Sequence, residues 1–440
     1  MGDIDSGSTV SGKAGRISLT TTTGKIEVKN LSAGSVQGDG NNIVLNSALG
    51  ITTQNLSTKS GGIAGNVSIT AVNDIKVGDI EANSTLSGKG GIINLTTTAG
   101  GIETNNLSSG AIQGDGNSII LKAALGVTTQ DLNTSSTQGN SGKIAIVATN
   151  EITTGAIVSA ADGNAGAVTL TANGDIVTNG IQAQSNNVGS GGTVKVTSQS
   201  GKIDMNGGQV STYAINGTGG KVTLTANQTI AVGEINTYAS FGKAGEVIVE
   251  ANGDITTTTI YASAFGGDAN NIRLTSVNGG IDTNNLEISA TSLSGGNAGN
   301  VTLRAAKDIK VGDIFARSRE EITGVWNGGK VTLEASGAIE AGNVTTTSLT
   351  GNAGNVRFDA NLGILVGNGI KVGNIDAWAN NNGNAGSVKL NAVNDIEALV
   401  IKSNVNGTGI GIAGDAYILD FGLEKEKKAA GAWHKLPKEQ

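Results

Sequence analysis

The chain is expected to be all-β, a parallel β-helix (β-solenoid) of about fifteen coils of 24 to 32 residues, and three features of the sequence lead there. A strand grammar, seen most fully as GNAGNVTLRAAKDIKVGDIFA at 296–316, returns along nearly the whole length. Aliphatic residues occupy fixed places in each return. The composition is that of a turn-rich, strand-rich chain with an aliphatic core: 69 glycines among 440 residues, one proline, 3% aromatic and 15% charged residues. Glycine at that level without proline or a G-X-Y period is not collagen, and the Val, Ile and Leu content argues against a disordered linker.

The first element of each unit opens on Gly15, Asn41, Gly65, Gly91 and so on to Gly386 and Gly414, at spacings of 24 to 32 residues. That is a solenoid period. Two residues after the opener stands Ile or Val in every unit except the last, which has Ala416, and two further on stands Leu, Ile, Val or, once, Phe358. Small or polar residues separate them, the period of a strand with one face buried. The second element is a column ten or eleven residues after the opener, from Ile26, Ile51 and Ile75 to Ile339, Ile364 and Ile396. A third fragment follows it, as at Ile314. Columns so regular require each residue to stack on its equivalent one coil away, with strands paired in parallel. At a strand spacing of roughly 4.8 Å, the coils make a rod of roughly 70 Å. A narrow aliphatic core also accounts for the scarcity of rings.

Glycine and asparagine crowd the corners, as expected if sharp turns there demand φ > 0, which these residues enter cheaply. Stacked asparagines are expected to form side-chain ladders. A block of three coils is duplicated, since 21–56 matches 97–132 at 23 of 36 positions, an offset of 76 residues. Extra residues at 287–293, 317–327, 367–373 and 402–411 are expected to leave the core as corner loops, the places where recognition usually resides. Residues 1–11 read as a truncated coil, with Gly2-Asp3-Ile4-Asp5 as the second half of a repeat; 12–422 as the β-helix; and 423–440 as a charged tail holding five Lys, three Glu, His434 and Pro437. The tail is either a helix over 424–430 capping open strand edges or a linker.

Several function classes fall away. The net charge is −7 and the basic residues are scattered, so no nucleic-acid footprint is present. No cysteine and one histidine leave no thiolate or His-rich metal site and no histidine-based triad, so no catalytic residue, metal or cofactor is assigned. No apolar run approaches the roughly 18 residues of a membrane span. The recurring acids Asp74, Asp175, Asp254, Asp308 and Asp395 each precede a core Ile at a corner, in non-neighbouring coils. A polysaccharide-degrading β-helix enzyme, the alternative class, needs carboxylates clustered on one face; these five read as turn residues. QGDGNN at 37–42 and QGDGNS at 113–118 lack the nine-residue period of calcium-binding repeats. Paired threonines such as Thr52/Thr53 and Thr128/Thr129 are interrupted by charged coils and read as exposed strand residues rather than an ice-binding face.

The aromatics point elsewhere. None occurs before Tyr213. Alternation places Tyr261, Phe315 and Trp378 outward, and Trp326 falls in an inserted loop. Exposed rings stack on sugars or anchor partner proteins, so these four are the candidate ligand-binding residues.

GNAGNVTL followed by DIKVGDI resembles the repetitive stalk of filamentous haemagglutinin-like adhesins, exoproteins of bacterial two-partner secretion, and in particular their cyanobacterial versions, over about 12–413. The resemblance implies a right-handed parallel β-helix, an extracellular or cell-surface location, export of the parent chain through an outer-membrane transporter, and adhesion to glycans or cell-surface proteins. The family's NPNG-type secretion signature is absent, since Pro437 is the only proline. A ligand-free spacer that associates end to end through its strand edges is the third reading.

Overall fold

The computed structural model describes residues 2–319, 324–360, 369–380, 382–406 and 410–420. The two alternatives for the tail, together with His434 and Pro437, lie outside them.

Each coil contributes three strands to a three-sided stack. The five-residue strand that follows the opener builds sheet I, whose 16 strands run in sequence order from Ile17–Thr21 to Ala416–Asp420. Sheet II begins with Ile26–Glu27 and sheet III with Ile4–Asp5 and Leu31–Ser32, each strand pairing in parallel with its equivalents one coil away. The two fuse at Ile370–Asp376, which pairs with both Ile339–Ala341 and Val344–Thr345. Sixteen stacked strands make about fifteen turns, as expected, and no helix occurs among the described residues.

The core follows from alternation. In Ile43–Ser47, Ile43 and Leu45 are fully enclosed, and the pattern repeats from coil to coil as one continuous aliphatic column. In several coils two inward residues close the corner between sheets III and I. The Gly142 N–H donates to Thr134 O at 3.0 Å, and the buried Thr134 hydroxyl donates to Gly142 O at 2.7 Å. The same pair of bonds joins Thr212 to Gly220, Thr237 to Gly245 and Thr346 to Gly354. Backbone polar groups that no sheet satisfies are thereby paired.

This closure changes the reason for the glycines. Positive φ occurs only at Gly180, Gly207, Gly295, Gly324, Asn206, Asn284 and Asn285 among the described residues, and at no opener. Most of the glycine openers are needed for space instead, although Asn41, Asn117 and Asn270 fill the same place in their coils: a Cβ on Gly299 would lie 1.9 Å from Asn270 O, and one on Gly329 1.9 Å from Gly299 O. Two of the left-handed turns serve longer coils. Asn206-Gly207 and Asn284-Asn285 absorb extra residues between sheets II and III.

The stacked side chains form ladders that run chiefly to backbone N–H groups rather than to one another, and they have a direction. Asp268 Oδ1 accepts from Asn297 N, Asn297 Oδ1 from Asn327 N, Asn327 Oδ1 from Asn352 N and Asn352 Oδ1 from Asn384 N, all at 2.9 to 3.0 Å. Each side-chain oxygen caps a corner N–H of the following coil. Four of the recurring aspartates do the same: Asp74, Asp175, Asp254 and Asp308 accept from Gly101, Lys202, Gly280 and Ala338 N at 2.8 to 2.9 Å. Asp39 and Asp115 accept from Ile63 and Asn140 N.

Three placements differ from expectation. Ile339 and Ile396 pair with Ile370, so Ile370 holds the column position assigned to Ile364, which lies outside the described residues. That coil's insertion therefore precedes its second strand. The extra residues assigned to 287–293 fall largely at Asn284-Asn285, because Ile288–Ser289 is a regular strand of sheet III. Finally, Arg317 stands on the outer face of sheet III, since its neighbour Ser318 bridges Ser292 and Ser348.

Candidate functional site

On sheet III two outward positions per coil flank one inward residue. Tyr261 stands between the fully enclosed Ile260 and Ala262, Phe315 between Ile314 and Ala316, and Trp378 between Ala377 and Ala379, so all three rings point outward. Two positions further along their coils, Tyr213 and Tyr238 stand outward in the same way between Thr212 and Ala214 and between Thr237 and Ala239. Tyr213 donates its hydroxyl to Asn186 Oδ1 at 2.8 Å, which fixes the first ring of the series.

The register makes a groove of these positions. Tyr261 pairs with Ser289 and Ser289 with Phe315, so one short side chain lies between two rings. Two strand steps separate those rings, about 10 Å of backbone. The result is a groove of about 340 Å³, with Tyr238 and Tyr261 on one wall, Phe315 and Arg317 on the other, and Glu287 and Leu293 at its sides. Its floor is Ser263, Ser289 and Thr291, all buried. Ser263 Oγ donates to Ser289 Oγ at 2.9 Å and Ser289 Oγ to Thr291 Oγ1 at 3.2 Å. The floor is thus low because its side chains are small and closed because they bond one another. Phe265, 48% exposed, and Phe241, also exposed, lie at the following corner, outside the lining of the groove.

One cation and one acid meet the groove. The Arg317 guanidinium carbon lies 4.4 Å from the centroid of the Phe315 ring, a cation–π contact, while its buried Nε has no hydrogen-bond partner among the described residues. Burial, and secondarily Arg319, pull its pKa down, and Glu287 opposes them. Burial pushes the Glu287 carboxyl up; Arg317 counters this and Asp313 adds to it. The Tyr261 phenol is also raised, by burial first and then by Glu287 and Glu234. A groove with two ring walls, a guanidinium donor, a carboxylate acceptor and no deep enclosure can hold a flat, hydroxyl-bearing ring by stacking and edge-on hydrogen bonds.

The raised Glu287 carboxyl gives a signed expectation. Between its unfolded pKa and its higher folded value the native state binds more protons than the unfolded one, so this residue's contribution to stability falls as pH rises. Glu287→Gln should therefore melt above wild type near neutral pH and converge with it near pH ~4. Paired thermal melts at the two pH values check this, and equal displacement at both would refute it.

The four residues singled out from the sequence thus separate. Tyr261 and Phe315 form the groove; Trp378 lies further along the same face; Trp326 sits half-buried at a corner. There the Trp326 N–H donates to Thr350 Oγ1 at 3.2 Å, and its carbonyl accepts from Ser348 Oγ at 2.5 Å. Sequence reasoning missed Tyr238, Arg317 and Glu287. Tyr238 was findable, because it has the same place relative to Ile235 as Trp378 has to Ile375. Among the described residues no group of three His, Cys, Asp or Glu side chains is placed to hold a metal ion. No helix there is long and apolar enough to cross a membrane. No family model matches the chain, and no curated protein or solved structure matches it either.

Proposed function

We propose that the chain is the rod of a bacterial surface adhesin of the filamentous haemagglutinin-like type, holding a glycan-binding face away from the cell. The parent chain would reach the exterior through an outer-membrane transporter. The stacked β-solenoid is suited to a structural or adhesive role, since each coil rests only on its neighbours and length is added without a change of cross-section. The single observation that carries the binding half of the proposal is the slot between Tyr261 and Phe315, floored by Ser289 and backed by Arg317.

A glycan array probed with the wild-type rod and with Tyr261→Ala/Phe315→Ala tests the reading. Each ring removed should cost about 1 kcal/mol of stacking, so the double variant is expected to bind its best glycan about 30-fold more weakly, with β-type circular dichroism unchanged. Trp326→Ala should bind as wild type. Equal binding by the double variant, or a rod that binds no glycan or cell surface, would sink the proposal.

A further inference from the structure

Ring, recess, ring is not confined to the groove. Phe315 pairs with Thr345, and Thr345 with Asp376, so one coil beyond the Phe315/Arg317 wall the face drops again to Thr345 and Thr347. Thr347 is as buried as Thr291 in the first recess, at 6% and 3% exposure. The Ser292, Ser318, Ser348 and Ala379 bridges keep Thr291, Arg317, Thr347 and Trp378 in one column along the stack, because each bridge residue directly follows one of them. Trp378 therefore stands two coils beyond Arg317 in the same column, with Asp376 two coils beyond Phe315 beside it, as the Phe315/Arg317 wall stands two coils beyond Tyr261. The period is about 10 Å of stacked strands.

We infer that the ligand of this face is a linear polysaccharide lying along the rod, every second sugar entering one of two recesses, with Phe315/Arg317 as the shared central wall and Trp378 as the outer one. A terminal sugar would need one recess only. In a β-1,4-linked chain successive sugars present alternate faces, so equivalent faces recur every second sugar, and a surface with rings at every second coil suits that repeat. The floors also suit it: Ser289, Thr291, Thr345 and Thr347 are short side chains, so a sugar has room to seat between the walls. The inference rests on the glycan-binding reading and adds the ligand's direction and minimum length.

The experiment is a length series of β-1,4-linked glucose and N-acetylglucosamine oligomers, from disaccharide to hexasaccharide, measured by calorimetry against four proteins. Wild type should gain about tenfold in affinity, about 1.4 kcal/mol, once the oligomer spans both recesses. Trp378→Ala should bind the disaccharide as wild type and lose the gain with length. Thr345→Tyr, which fills the second recess while leaving Trp378 in place, should do the same, and Trp378→Phe should keep most of the gain. Disaccharide binding also serves as the folding control for each variant. If wild type binds the disaccharide and the hexasaccharide equally, the second recess is not a subsite, while the first groove stands. If no oligomer and no glycan of the array binds, both readings fail together.

Discussion

Gly299→Val is expected to cost more than about 4 kcal/mol and to divide the rod's unfolding into two transitions. Gly299 opens the strand Val301–Ala305. Its N–H donates inward to Ala290 O at 2.9 Å, which holds the residue at the coil's narrow end. A Cβ there would lie 1.9 Å from Asn270 O and 2.3 Å from its carbonyl carbon, both backbone atoms of the preceding coil. Neither can yield without opening the parallel ladder between the two coils. Costs of this size arise only from a few mechanisms, overpacking against rigid backbone among them. Because a solenoid is held by nearest-neighbour contacts, the damage should stay at this junction and leave the blocks on either side folded. Gly24→Ala is the matching control: Gly24 has no positive φ, and nothing lies within 4 Å of a Cβ built on it. It should be neutral or stabilised by up to about 1 kcal/mol through the unfolded chain. Thermal melts followed by circular dichroism, with limited proteolysis to locate the weak junction, measure both. A Gly299→Val rod that melts in one transition at the wild-type temperature would show that the coils are not packed at this spacing.

The glycine result marks where sequence reasoning stopped. The period and the inward columns were legible because stacking forces one residue type into one place at every coil, and Ile26 to Ile339 carry that signal almost without noise. That openers are glycine was legible too, but its cause was not. Backbone strain and backbone crowding select the same residue, and only the approach of Gly299 to Asn270 O tells them apart. The insertion in the coil of Phe358 was misplaced for a different reason. Ile364 fits the usual offset, whereas the correct residue, Ile370, is marked by a longer string: IKVGNI at 370–375 matches IKVGDI at 75–80 and 309–314. The candidate site was half legible. Alternation about Ile260 and Ile314 aims Tyr261 and Phe315 outward, but a groove is a relation between coils. It depends on Ser289 lying between the two rings and on Arg317 folding back over Phe315, and neither can be read from one coil alone.

Phe358→Ala is expected to cost about 3–5 kcal/mol, near the upper end for a buried ring, while leaving binding at the Tyr261/Phe315 groove unchanged. Phe358 is fully enclosed, and it is paired in register with Leu333 on one side and Leu390 on the other. Cavity costs shrink when the surroundings collapse, and here they are held apart. Val331–Ala335 and Val388–Ala392 are fixed at one strand spacing on either side by their own ladders, so the hole left by the ring stays open. Phe358→Leu, which restores the residue type of its neighbours, should cost less than half as much. The same coil carries Ile370–Asp376 and Trp378, so loss of the ring should lower hydrogen-exchange protection there and in the two adjoining coils. Tyr261, Ser289 and Phe315 belong to earlier coils, and nearest-neighbour coupling predicts that their protection and short-oligomer affinity stay at wild-type values. Any gain in affinity with oligomer length should fall, because its outer wall stands in the loosened coil. If instead the whole rod loses protection together and the groove stops binding, the coils unfold as one cooperative unit, and nearest-neighbour coupling would have to be abandoned.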